Sequence, residues 1–193
     1  NTCPFGPVRD DMTIITDEQV AYINNGGVIA YPTSTLPGLG CLPTKDGLDT
    51  LFELKSRSSD KPVSIGVASL DQVAHMVDID PRIVEFVDAF PRGGLSVIYP
   101  SHQPLDPRIG GQSVAIRVFD HPSARALALA VGPVTATSAN EAGEEPANTV
   151  AEAASELGLP DVAVVAGNRE TGPGSTFVKI DFDSDEPLVT IIR

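Results

Sequence analysis

Short apolar runs alternate with stretches of helical periodicity, and this alternation constrains the fold more than any other feature. The runs are VIAYPT (Val28–Thr33), PVSIGV (Pro62–Val67), LSVIYP (Leu95–Pro100), SVAIRV (Ser113–Val118) and PVTATS (Pro133–Ser138). Each has the length of a buried strand. Between them lie helix signals. Thr16 with Gln19 is a capping-box pattern, Val20 and Ile23 give one apolar face, and Gly26-Gly27 ends the segment. Leu48, Leu51, Phe52 and Lys55 form a helical stripe ending near Arg57. Ser69 caps a short helix with Val73 and Met76, and Pro81 opens another with Ile83, Val84, Val87 and Phe90. His121–Val131 and Thr149–Leu157 read as two more helices. Thr33–Gly40 reads as a Gly- and Pro-punctuated loop. VAVV, TFVKID and PLVTII read as three closing strands. The pattern predicts an α/β domain with a mixed, twisted sheet.

The chain has 193 residues, which at roughly 100–200 residues per domain is one domain. A chain of this length buries about 70% of its unfolded surface and needs no staple. Residues 1–11 (NTCPFGPVRDD) show no period and read as an extension before a start at Met12, so the domain is expected at 12–193. No apolar run approaches the roughly 18 residues of a membrane span. Asn1–Ile15 lacks the basic start and apolar stretch of a signal peptide. A cytoplasmic location is expected, with no membrane partner. Cys3 and Cys41 are too few for a disulfide framework or a thiolate metal site. His75, His102 and His121 lack metal-ligand spacing, so no metal site is expected.

The net charge of −13 argues against a general grip on nucleic acid. The acidic, lysine-poor surface suits either a salt-rich cytoplasm or ordinary solubility. Within that surface, Lys55, Arg57 and Lys61 crowd one seven-residue window. Three cations there either answer the dipole of a helix C-terminus or grip a phosphate. Other hydroxyls and cations fall at strand ends. YPTSTLPGLG presents Thr33, Ser34 and Thr35 before two glycines, which is either a hydroxyl-rich turn or a polar ligand site. In SVAIRV, alternation puts Ser113, Ala115 and Arg117 on one face. An arginine there either bridges an internal acid or receives a ligand carboxylate. TSAN (Thr137–Asn140) and GPGST (Gly172–Thr176) are turn formers or ligand loops. No Walker pattern and no G-x-S-x-G elbow occur. The set suits a polyphosphate and a small zwitterion.

In this order, these motifs resemble the YrdC/TsaC family of threonylcarbamoyl-adenylate synthases over about Val20 to Arg193. YPTSTLPGLGC is similar to its YPTETVYGLGC, KSRSSDKP to its KxRxxxKP, and SVAIRVFDHP to its SxAVRxxxHP. TSANEAG, GSTFV and the closing VTIIR resemble its SAN-x-[SG]-G, its ESTV segment and its last strand. The resemblance implies an open twisted sheet with flanking helices and a large concave cavity. It implies the reaction of L-threonine, bicarbonate and ATP to threonylcarbamoyl-AMP and pyrophosphate, with Mg²⁺ carried on the phosphates. The product would pass to a transferase complex that modifies adenosine 37 of tRNA. Position by position, Lys55 and Arg57 are the implied catalytic phosphate grip, and Lys61 adds charge. Thr33, Thr35, Arg117 and Ser175 are implied threonine contacts, and Ser113, Ser138, Asn140 and Arg193 implied nucleotide contacts. Ser34 stands where the family has Glu, Pro37 where it has an aromatic, and PRGGLS where it has WPGPLT. Two other readings share the fold: a ribosome-maturation factor that binds nucleotide or RNA, and a carbamoyl-adenylate module from a longer hydrogenase-maturation enzyme.

Overall fold

The computed structural model describes residues 13–91, 93–167, 174–182 and 187–192. The proposed 1–11 extension, Cys3 and Arg193 lie outside them.

The capping box forms as the sequence predicts. Thr16 Oγ1 accepts from the Gln19 N–H at 3.1 Å, and Gln19 Oε1 accepts from the Thr16 N–H at 3.0 Å. These bonds start α1 (Asp17–Asn24), and Gly26, at φ +87°, turns the chain out of it. Strand β1 (Ile29–Tyr31) then enters the core with every residue buried.

The segment expected as a loop continues differently. Gly38–Gly40 is a strand, β2, paired antiparallel to β1. The cause is the neighbouring Tyr31 ring. A Cβ on Gly38 or Gly40 would come within 2.7 or 2.8 Å of that ring. Glycine, a poor strand former alone, is what lets the two strands close around a buried aromatic.

Helix α2 (Lys45–Leu54) packs Leu48, Leu51 and Phe52 into the core and ends at Lys55. Strand β3 (Ser64–Val67) follows, then a 3-10 turn at Leu70–Val73. Ser69 precedes that turn without a side-chain capping bond, so the helix expected through Met76 is one short turn. Helix α3 (Pro81–Val87) is capped by Asp80 and stops before Phe90, which is 42% exposed. Strands β4 (Leu95–Pro100) and β5 (Ser113–Val118) are antiparallel. Helix α4 (Pro122–Val131) starts at His121, whose Nδ1 accepts from the Ser123 N–H. Strand β6 (Val134–Ser138), helix α5 (Val150–Glu156), and strands β7 (Thr176–Asp181) and β8 (Leu188–Ile191) complete the order.

The VAVV run is not a strand. Asp161–Ala163 is a 3-10 turn, and Val164 makes one isolated bridge to Ala30. Its β-branched composition lost to the 3-10 turn after Pro160, which leaves only the end of the run alongside β1.

The eight strands form one sheet in the order β1-β2-β6-β3-β5-β4-β7-β8. Pairs β3–β5 and β4–β7 are parallel and the others antiparallel, so the sheet is mixed as expected. Two apolar clusters hold the layers. One gathers α2 with the central strands, and the other gathers α1 and α4 around Tyr31 and Phe119. Cys41 is buried among them beside Thr135, and burial pushes its thiol up to about 12. No helix of the described residues is long and apolar enough to cross a membrane.

Candidate functional site

The order of the sheet puts the end of β6 between β2 and β3, next to the end of α2. Lys55 therefore meets the T-S-A-N turn. Its Nζ donates to the carbonyls of Ser138 and Asn140, each at 2.5 Å. Lys55 is 1% exposed. Burial, with Arg57 adding repulsion, lowers its pKa to about 8. The Ala142 N–H donates back to the Lys55 carbonyl, so the lysine and the turn clasp each other. In the same turn, Asn140 Nδ2 donates to Glu141 O and Glu144 O. Its Oδ1 is buried with no partner among the described residues.

Arg57 is placed by its own loop. Nε donates to Lys61 O at 2.7 Å and Nη2 to Pro62 O at 3.1 Å. This fixes the stem of the side chain beside a cavity of about 600 Å³. Lys55, Arg57, Lys61, Ser113, Ser138 and Asn140 all line that cavity. Ile98, Ala115, Ile109 and Phe177 supply apolar wall. The motifs single out none of these four as a site residue, although the alternation of β5 puts Ala115 on the face of Ser113. Asp60 also borders it.

A second cavity of about 440 Å³ adjoins the first, sharing Arg57, Ser138 and Phe177 as common wall. Thr33, Thr35, Arg117 and Ser175 line it. Arg117 is 7% exposed. Its Nε donates to Gly93 O at 2.9 Å and its Nη2 to Thr35 Oγ1 at 2.8 Å. No carboxylate of the described residues pairs with it. The internal acid considered for this arginine is therefore not found there. Burial without an acid holds its pKa below the ordinary arginine value. Thr33 Oγ1 donates to Leu36 O at 2.6 Å and accepts from the Thr35 N–H at 3.1 Å. It thus shapes the loop that aims Thr35. Ser175 Oγ lies 3.2 Å from Ser96 Oγ, which is buried.

The arrangement is two joined compartments with desolvated cations. One offers cations and polar turns to a polyphosphate, and the other a buried guanidinium among hydroxyls to a small carboxylate. Of the expected residues, ten line this pair of cavities, and Arg193 lies outside the described residues.

The fold and the two joined cavities suit a polyphosphate beside a small carboxylate, and comparison with known proteins gives the family. The chain belongs to the Sua5/YciO/YrdC family, whose model, described as "Telomere recombination", matches residues 21–193. Threonylcarbamoyl-AMP synthase of Aliivibrio fischeri is 34% identical over 163 residues, covering 81% of this chain and 87% of that protein. The enzyme of the same name from Marinobacter nauticus is 39% identical over 132 residues, covering 65% of this chain and 69% of that protein. The crystal structure of P. abyssi Sua5 complexed with L-threonine has a TM-score of 0.75 and 26% identity. It matches 88% of this chain, which spans about half, 51%, of the archaeal chain.

Proposed function

We propose that this chain makes threonylcarbamoyl-AMP and pyrophosphate from L-threonine, bicarbonate and ATP. The observation that carries this reading is the position of Arg57 on the wall shared by both cavities. A reaction that joins an amino-acid derivative to the α-phosphorus of ATP needs a cation at that border. The named bacterial relatives and the threonine-bound archaeal structure support the same assignment.

The steps follow from the compartments. The threonine amine and bicarbonate give an N-carboxy species with loss of water. Its carboxylate oxygen attacks the α-phosphorus, and pyrophosphate leaves. In this reading Arg117 binds the threonine carboxylate, Thr35 steadies the guanidinium, and Thr33 and Ser175 border the amino acid. Lys55, Arg57 and Lys61 hold the phosphates, and Ser113, Ser138 and Asn140 border the nucleotide. Catalysis is then mostly positioning and cationic stabilisation. Mg²⁺ supplies further charge neutralisation when it arrives on the triphosphate. Among the described residues no group of three or more His, Cys, Asp and Glu could hold it independently. The product is a reactive mixed anhydride, and a separate tRNA-modifying transferase is its proposed acceptor. The reading as an RNA-binding factor is weaker: Lys55 and Arg117 are buried in the cavities, and the chain carries −13.

Arg117→Ala tests the carboxylate assignment. It raises the threonine KM by roughly 10- to 100-fold, the worth of a charge-assisted hydrogen bond, and leaves the ATP KM in place. An unchanged threonine KM contradicts the role.

The pKa of Lys55 gives a second test. In the free site its ammonium is half deprotonated near pH 8. Triphosphate beside it favours the charged form and raises that pKa. ATP binding therefore takes up protons around and above pH 8, and ATP affinity falls as pH rises through that value toward the ordinary lysine value. Calorimetric titrations in two buffers of different ionisation enthalpy measure the uptake. Proton release, or none, contradicts the placement of Lys55 at the phosphates.

A further inference from the structure

Across the sheet from the two substrate cavities lies a third, of about 340 Å³. Leu70, Val84, Val87, Leu95, Val97 and Val118 give it an apolar wall. Arg125 and Ser69 line it too, and Asp88 borders it. Arg125 is held by one arm: Nη1 donates to Ala68 O at 2.7 Å and to Phe119 O at 3.3 Å. No described carboxylate pairs with it. A half-buried guanidinium against an apolar wall, with donors left over, is the chemistry that receives a carboxylate on an aliphatic body.

The cavity is coupled to the substrate side by two short links. Strand β5 alternates, so Ile116 and Val118 face this cavity while Arg117 faces the other side. Gly93 also lines it, and the Gly93 carbonyl is the acceptor for Arg117 Nε. Gly93 has φ +76°, and a Cβ there would lie 2.4 Å from Ser34 Oγ. The Gly93 peptide is therefore wedged between the threonine-side loop and the back cavity.

We infer that this back cavity is a regulatory site for a small amphipathic carboxylate, which acts on the amino-acid compartment through the Gly93–Arg117 hydrogen bond. The effect on threonine rests on the reading of Arg117 as its carboxylate contact, whereas binding itself does not. An occupant that shifts Gly93 changes the aim of the guanidinium, and by linkage threonine changes the affinity of the occupant by the same factor.

The test uses the full chain and octanoate as probe, followed by calorimetry without ATP. Octanoate is expected to bind one site, and its presence to change threonine affinity by at least about fivefold. Arg125→Gln is expected to weaken octanoate by about tenfold or more. Because Arg125 also ties two carbonyls, Val84→Trp, which fills the cavity, is the second variant and is expected to abolish binding. Both variants retain pyrophosphate release in the absence of octanoate. No octanoate binding, or equal binding to Val84→Trp, overturns the site. Octylamine binding in place of octanoate assigns the polar end to Asp88 and overturns the ligand class. Octanoate binding with unchanged threonine affinity overturns the coupling. Failure of threonine to bind with or without octanoate overturns the functional reading instead, and the two failures are thereby distinguished.

Discussion

Arg57→Ala lowers kcat by about a hundred- to a thousandfold while the protein still folds. The magnitude is that of removing one preorganised donor from a developing charge, on the order of 3–4 kcal/mol. Among the described cations, Arg57 alone lines both proposed substrate cavities. Its Nε and Nη2 already rest on Lys61 O and Pro62 O, so the guanidinium is held in place before substrate arrives. Those two bonds lie near the surface, and their loss costs stability only about 1 kcal/mol each. Arg57→Lys separates charge from shape. Lysine keeps the positive charge but lacks the planar fork, so it recovers only part of the rate. Single-turnover pyrophosphate release reads both variants. If Arg57→Ala retains the parent rate, the border between the cavities is not where phosphorus reacts.

Gly66→Ala is expected to be strongly destabilising. Gly66 sits in β3, in register with Arg117 on one side and Val134 on the other. A Cβ there would fall 1.9 Å from the tip of the Phe119 ring. Phe119 has little room to yield. It is 1% exposed, packs edge-on against Tyr31 with ring centroids 5.6 Å apart, and is tied by its N–H to Val67 O. Overpacking of this kind costs about 3 kcal/mol or more. For a chain of this size that is a fall in melting temperature of roughly 10 °C. Phe119→Leu in the same chain relieves the overlap and recovers part of the loss, which a double-mutant cycle measures. A Gly66→Ala variant that melts with the parent contradicts the packing described.

The parts of this structure that were legible in the sequence are those decided locally. LSVIYP, SVAIRV and TFVKID are strands at the positions their composition gives, because alternation and bounding turns act within each run. The face shared by Ser113, Ala115 and Arg117 follows from the same period of two. Gly38–Gly40 was not legible, because its strand character comes from Tyr31 on the neighbouring strand. VAVV failed for the opposite reason: the residues suit a strand, but they make a single isolated bridge to β1, at Val164, instead of a ladder.

The site divides in the same way. Its hydroxyls and cations stand in recognisable strings, so their types were readable. Their partners were not. Lys55 is clasped by backbone carbonyls of Ser138 and Asn140, more than eighty positions away, and a carbonyl leaves no mark in a sequence. The Gly93 carbonyl on Arg117 is the same case. For an arginine on a strand the sequence leaves an internal acid and a ligand carboxylate equally open, and here backbone and hydroxyl oxygens hold it with no described acid. That leaves its charge available to a ligand, the feature on which the proposed amino-acid compartment depends.

The most direct measurement is pyrophosphate release from ATP by the purified chain, with L-threonine and bicarbonate added separately and together. The account predicts release only when both are present, with the bicarbonate carbon recovered in an adenylate that also contains threonine. Release that needs neither, or ATP binding with no release under any combination, contradicts it.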